Sequence, residues 1–311
     1  MAATSQQCLE GQVILVTGAG RGIGRDAALL AAAQGARVVV NDLGSAVDGS
    51  SADRSPAEQV VAEIRAGGGE AVSSGDSVAS AREAERIVTT ALDSYGRLDA
   101  VVNNAGILRD REFDEMDPAD FDAVVQVHLH GSFYVSRAAA PHLRRQGRGA
   151  YVHVTSSSAL VGNHRQANYA SAKMGLVGLS RSIALDMAQH GVRSNCVVPF
   201  AWSRMMGAVP ETATGAGDRA WWIDRLRAVG PDTVAPLIVF LASGLSDGIS
   251  GQILGVRKNE VYLFSQPRPI RTVHRAGGWT PQDLAEQMRP AFAPSFTPLE
   301  RSADVFAWDP I

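Results

Sequence analysis

Cysteine is scarce in this chain, with only Cys8 and Cys196 among 311 residues. Two distant thiols make no disulfide framework and offer no metal-ligand spacing. They suit a reducing interior, which makes the cytoplasm the expected compartment. Long apolar runs are missing too: nothing reaches the roughly 18 consecutive apolar residues of a membrane-spanning helix. Residues 1–10 are polar and lack the apolar core of a signal peptide. The final Ala307-Trp308-Asp309-Pro310-Ile311 is not a short peroxisomal or ER-retention address. Nor is positive charge in excess, since a net charge of −3 leaves no basic footprint for nucleic acid. With 45% hydrophobic and 20% charged residues, the composition is that of a folded globular protein.

The first half alternates short β-branched runs with helical patterns. Gln12 to Thr17 (QVILVT) reads as a buried parallel strand. It leads into Gly18-Ala19-Gly20-Arg21-Gly22-Ile23-Gly24, then into an alanine-rich helix that stops at Gly35. Strand, glycine turn and helix together let backbone N–H groups and a helix N-terminus meet a pyrophosphate. Gly18, Arg21, Gly22, Ile23 and Gly24 are therefore candidate dinucleotide contacts. Arg37 to Asn41 forms the next strand and places Asp42 at its carboxyl end. There a carboxylate accepts from an adenosine ribose and repels a 2′-phosphate, which favours NAD over NADP. Arg21 argues weakly the other way. A polar loop to Ser55, a helix over Pro56 to Ala66, a strand over Glu70 to Ser74, a helix over Ala79 to Tyr95 and a strand over Leu98 to Val102 follow. This alternation predicts an α/β fold: a Rossmann-type, doubly wound parallel sheet with ligands at the strand carboxyl ends.

The chemistry concentrates between Ser156 and Lys173. Tyr169 follows Ser156 by thirteen residues, and Lys173 follows Tyr169 by four. On a helix, Tyr169 and Lys173 share one face. An ammonium beside a phenol favours phenolate and lowers its pKa. A tyrosine tuned that way passes a proton to or from an alcohol or carbonyl oxygen.

Thr17 to Gly24 (T-G-x-x-x-G-x-G), Asn103-Asn104-Ala105-Gly106, Ser156 and Tyr169-x-x-x-Lys173 stand in the order that resembles the short-chain dehydrogenase/reductase family. The resemblance covers roughly Gly11 to Leu254. It implies that Tyr169 is the acid/base and that Ser156 hydrogen-bonds the substrate oxygen. Lys173 would bind the nicotinamide ribose, Asp76 and Ser77 would lie near the adenine, and Asn104 to Gly106 beside the cofactor. The strings Asn41 to Gly44, Asn104 to Arg111 (NAGILRDR), Val127 to Phe133 and Gly162 to Tyr169 carry a closer likeness. They look like the (3R)-hydroxyacyl-CoA dehydrogenase domain of the peroxisomal multifunctional β-oxidation enzyme and its bacterial acyl-CoA and steroid-side-chain relatives. The implied reaction is NAD-dependent oxidation of a 3-hydroxyacyl-CoA by a homodimer or homotetramer. A hydroxysteroid dehydrogenase, a 3-oxoacyl-carrier-protein reductase and a non-catalytic dinucleotide sensor are the alternatives.

Two positions depart from the family pattern. His128 stands where many members have Asn and reads as a structural helix residue. Pro199-Phe200 replaces the usual Pro-Gly after the strand Arg193 to Val198, so Phe200 faces either the ligands or the core. Ala201 to Val229, with Met205, Met206, Trp221 and Trp222, occupies the place of a substrate lid. A helix is expected over Pro231 to Ser243 and one last strand over Gln252 to Phe264. Residues 1–264 then form the NAD-binding domain. The remaining 265–311, with Thr280 capping a short helix, form a carboxyl-terminal extension lying on that domain or on a neighbouring subunit.

Overall fold

The computed structural model describes residues 7–50, 55–202 and 229–308. The expected lid, including Met205, Met206, Trp221 and Trp222, lies mostly outside the described residues. One eight-stranded sheet organises the rest, in the order β3-β2-β1-β4-β5-β6-β7-β8. The strands are β1 (Val13–Thr17), β2 (Arg37–Asn41), β3 (Glu70–Ser74), β4 (Ala100–Asn103), β5 (Gly149–Val154), β6 (Val192–Pro199), β7 (Ile253–Arg257) and β8 (Glu260–Leu263). The first seven pair in parallel.

Successive side chains on a strand point to opposite faces, so each strand feeds two cores. On one face Ile14, Val16, Val38 and Val40 pack with α1 (Gly22–Ala33) and α2 (Ser55–Ala66). On the other, Val13, Leu15 and Val39 pack with α3 (Ala81–Tyr95). The helix α3 begins where the Ser80 side chain accepts from the Glu83 N–H and ends at the left-handed Gly96, a standard pair of start and stop signals. Its buried stripe, Ala84, Ile87, Val88 and Ala91, has helical spacing.

Two expectations need correction. Gln252 to Phe264 is not one strand but a hairpin: β7 and β8 run antiparallel, with Arg257 opposite Glu260. The two-residue loop works because Lys258 takes a positive φ of 56°, a conformation usually left to glycine. The sheet is therefore mixed, with an antiparallel edge strand on a parallel body. Pro231 to Ser243 is likewise split, into a 3₁₀ turn at Pro231–Thr233 and α8 (Ala235–Ala242). That leaves α4 (Pro118–Val125), α5 (Gly131–Gln146), α6 (Ser157–Leu160) and α7 (Ala167–Met187) between β4 and β6. A π-helical turn, Gln126–His130, joins α4 to α5.

The sheet order reverses between β1 and β4, which opens a crevice at their carboxyl ends. The Ser156 position directly follows β5, and Tyr169 and Lys173 ride near the start of the long α7. The residues singled out as chemistry thus gather at the carboxyl ends of the strands.

Candidate active site

The crevice is built by two loops that grip each other. Asn104 Nδ2 donates to the carbonyls of Thr17 and Gly18, both at 3.0 Å. The Thr17 hydroxyl in return accepts from the backbone of Asn104 (3.1 Å) and Ala105 (3.2 Å). Gly24 is required by contact: a Cβ there would stand 2.3 Å from the Gly18 carbonyl oxygen. Asp42 reaches back from β2, accepting from Gly20 N–H (2.7 Å) with one oxygen and Gly44 N–H (2.6 Å) with the other. It can accept further hydrogen bonds but donate none in its ionised form.

Gly18, Arg21, Gly22, Ile23, Asp42, Asp76, Ser77, Asn104, Ala105 and Gly106 all line one cavity of about 430 Å³. Gly24 is not in the lining; it sits behind Gly18. At the far side, Asp76 is held by Arg86 (2.6 Å), while its carbonyl accepts from Asn41 Nδ2 (2.9 Å). The Ser77 N–H is tied to Glu83 (2.7 Å). These residues fit a dinucleotide: a cradle that a Cβ would fill, backbone groups along it, and one carboxylate at the end of β2.

Ser156, Tyr169 and Lys173 are not part of that lining. They adjoin it through Gly106, because an added Cβ there would meet His128 at 2.2 Å, and His128 in turn meets Tyr169 edge-on with centroids 5.2 Å apart. Lys173 is 3% exposed. Its Nζ donates to the Val154 carbonyl at 2.6 Å and lies 5.7 Å from the Tyr169 ring centre. Ser156 caps α6, its hydroxyl accepting from the Ser158 N–H at 3.2 Å.

The electrostatics reverse one expectation. The Tyr169 phenol is raised to about 12, because burial outweighs the lowering influence of the neighbouring Ser156 hydroxyl, and the Asp110 carboxylate raises it further. The ammonium does not win because it is itself penalised: burial lowers Lys173 to about 7, so its charge is only partly present at neutrality. His128 is also held neutral, pushed well below its ordinary range by burial and then by Lys173. Its Nε2 lies 3.0 Å from the Ile107 nitrogen and 2.8 Å from the Ile107 oxygen. One tautomer satisfies only one of these, and Nδ1 has no partner among the described residues.

Residues to which the sequence reading gave no role complete the surround. Gln166 Nε2 donates to Asp110 (3.0 Å) and its oxygen accepts from Asn163 (3.1 Å). Asn168 Nδ2 donates to the Arg109 carbonyl (2.8 Å). Asp110 and Arg109 lie in the Asn104–Arg111 string, whose distinctiveness was legible although its contacts were not. Phe200 packs on Phe306 (4.5 Å) and Tyr262 (6.1 Å), an aromatic cluster that resolves the choice in favour of the core. No group of three or more potential metal-ligating side chains occurs among the described residues, and none of their helices is long and apolar enough to cross a membrane.

The arrangement is similar to known proteins. Residues 12–211 match the family model for short chain dehydrogenases. The mouse peroxisomal multifunctional enzyme type 2 is 45% identical over 233 residues, 75% of this chain but 30% of that protein. The chain thus spans about a third of that relative. Hydroxyacyl-CoA dehydrogenase ChsB1 of Mycobacterium tuberculosis is 35% identical over 303 residues, 93% of this chain and 91% of that one. Among solved structures, a short chain dehydrogenase from Mycobacterium avium superposes with a TM-score of 0.82 at 35% identity, covering 94% of this chain and 99% of that one. A 7α-hydroxysteroid dehydrogenase complexed with NADH and 7-oxo glycochenodeoxycholic acid gives 0.73 at 29% identity, covering 83% and 98%.

The Lys173 shift has a consequence for stability. Below about pH 7 both the native and unfolded chains hold this proton, so the buried charge weakens the fold. Between about 7 and the ordinary 10.5 the native lysine has lost the proton that the unfolded one keeps, and stability rises with pH. Lys173→Met should be more stable than the parent below pH 7, with the gap closing toward pH 10. Urea unfolding of both proteins without nucleotide, across pH 6 to 10, checks this; a gap independent of pH would contradict it.

Proposed function

The chain belongs to the short-chain dehydrogenase family, and on that premise we propose that it oxidises a 3-hydroxyacyl-CoA to the 3-oxoacyl-CoA with NAD, reversibly. The family makes it an oxidoreductase. The observation that carries the finer reading is Tyr169 backed by the buried Lys173 and close enough to Ser156 to feel its hydroxyl, beside a cavity fitted to a dinucleotide. The choice of acyl thioester draws support from the relative named as a hydroxyacyl-CoA dehydrogenase, which this chain matches almost end to end. The choice of NAD draws support from Asp42, a fixed negative charge where a 2′-phosphate would lie, and from the structural neighbour complexed with NADH.

The bound dinucleotide supplies the hydride acceptor. Ser156 donates a hydrogen bond to the substrate oxygen and fixes it against the phenol. Tyr169 takes the hydroxyl proton as the C3–H electron pair departs, and in reverse returns a proton to the carbonyl oxygen. The phenol held near 12 keeps its proton at neutral pH, so the proton that the reverse direction consumes is in place. Oxidation requires added positive charge beside it, which Lys173 and an oxidised nicotinamide contribute. We read the assembly as a homodimer or homotetramer, supported by the exposed Val261 (61%) and Leu263 (70%) on the edge strand β8.

Initial rates of NAD reduction with short, medium and steroid-bearing 3-hydroxyacyl-CoAs, beside free hydroxysteroids, test the substrate class. Turnover confined to the free steroids would overturn the thioester assignment. Tyr169→Phe should lower kcat by at least about 100-fold with NAD affinity nearly unchanged, and retained turnover would remove Tyr169 from the chemistry. Asp42→Ser should raise the NADP/NAD ratio of kcat/KM; an unmoved ratio would show that another group selects the cofactor.

A further inference from the structure

The segment that carries Ser156 is poorly equipped to hold itself in place. Helix α6 is a single turn of four residues, too short to be stable from its own backbone bonds. Two residues past its end stands Gly162, whose φ of 130° only glycine adopts without strain. Besides α7 and the core beneath Leu160, residues from the far end of the chain lie against this turn. The Ser302 N–H donates to the Gly162 carbonyl at 2.9 Å. The Ser302 hydroxyl donates to Ser157 Oγ at 2.6 Å, and Ser157 is itself buried, next in sequence to Ser156.

Residues on both sides anchor Ser302. It opens α9 (Ser302–Val305), where Asp304 accepts from the Arg301 N–H at 2.9 Å. Beyond α9, Phe306 is 8% exposed and packs on Phe200, Tyr262 and Phe264. The buried Arg257 guanidinium donates to the carbonyls of Phe306 and Trp308. The Trp308 indole N–H reaches Glu260 at 2.8 Å. A buried cation and an aromatic cluster thus fasten residues 306–308 to the β7–β8 hairpin, and Ser302, four residues earlier, meets the Ser156 turn.

We propose that residues 300–308 form a strap that positions Ser156, with Ser302 the positioning residue and Phe306 its anchor. This rests on the reading of Ser156 as the group that fixes the substrate oxygen. The strap bonds on either side of α6, at Ser157 and at Gly162, so it sets the turn's orientation rather than merely covering it. It also sits on Phe200, just past the end of β6. An enzyme built this way binds its dinucleotide normally without the strap but holds the reacting oxygen in a looser geometry.

Ser302→Pro is the discriminating variant. Proline is accepted at the first position of a helix, and Arg301 already has the extended conformation that a following proline demands (φ −91°, ψ 161°). The substitution removes both bonds to the α6 turn and leaves α9 and the Phe306 anchor in place. Ser302→Ala removes the hydroxyl alone, and Ser302→Thr keeps both donors. The expected result for Ser302→Pro is kcat on the best 3-hydroxyacyl-CoA reduced about 10- to 100-fold, with NAD affinity within about twofold of the parent. Ser302→Ala should fall between, and Ser302→Thr should match the parent. Amide hydrogen exchange gives a second readout that needs no turnover: peptides spanning 156–162 should exchange faster in Ser302→Pro, while those spanning 13–24 should not. Unchanged exchange across 156–162 would overturn the strap, as would parental kcat in Ser302→Pro. Inactivity of the parent on every thioester, with exchange changed as described, would instead sink the proposed substrate and leave the strap standing.

Discussion

A buried amine sets the terms for this structure. Lys173, nearly sealed from solvent, hydrogen-bonds one backbone carbonyl at the end of β5 and stands under the Tyr169 ring. Burying a charge is costly, and the chain answers partly by letting the amine deprotonate near neutrality. The same burial lifts the phenol and strips the charge from His128. The free site is therefore a set of groups held close to neutral, in which a charge brought by a ligand is felt strongly because little water screens it.

Around that amine the loops are cross-tied. The 107–111 segment hydrogen-bonds His128 at one end and Arg165 and Gln166 at the other. It also reaches the edge of the dinucleotide cavity, where Leu108 donates to Val47 and Arg109 to Asp48. One short stretch thus touches the cofactor crevice, the backing of Tyr169 and the loop that precedes α7. These contacts give the Ile107 to Arg111 part of NAGILRDR a structural role, beside the cavity-lining Asn104, Ala105 and Gly106.

Local signals account for what was legible in the sequence. The β-branched runs of β1 to β3, the glycine turn after β1 and the serine and glycine caps of α3 act within a few residues, so pattern alone places them. The four-residue spacing of Tyr169 and Lys173 likewise pointed to one face of a helix, which α7 supplies, whereas the strand β5 that leads to Ser156 was not read from the pattern. The β7–β8 hairpin was missed because its turn uses Lys258 in a glycine-like conformation, leaving an apparently continuous strand. The direction of the Tyr169 shift was misjudged because residue spacing conveys proximity but not burial. Contacts such as Asp110 with Gln166 or Ser302 with Ser157 join residues 56 and 145 positions apart, and no local pattern announces them.

The central claim is that a hydride passes from C3 of a hydroxyacyl thioester to a nicotinamide while Tyr169 handles the proton. Incubation of the protein with NAD and a 3-hydroxyacyl-CoA deuterated at C3, followed by mass spectrometry of the recovered dinucleotide, tests it most directly. One deuterium is expected in the reduced dinucleotide for each 3-oxoacyl-CoA formed. Product formation with the deuterium lost to solvent would contradict it.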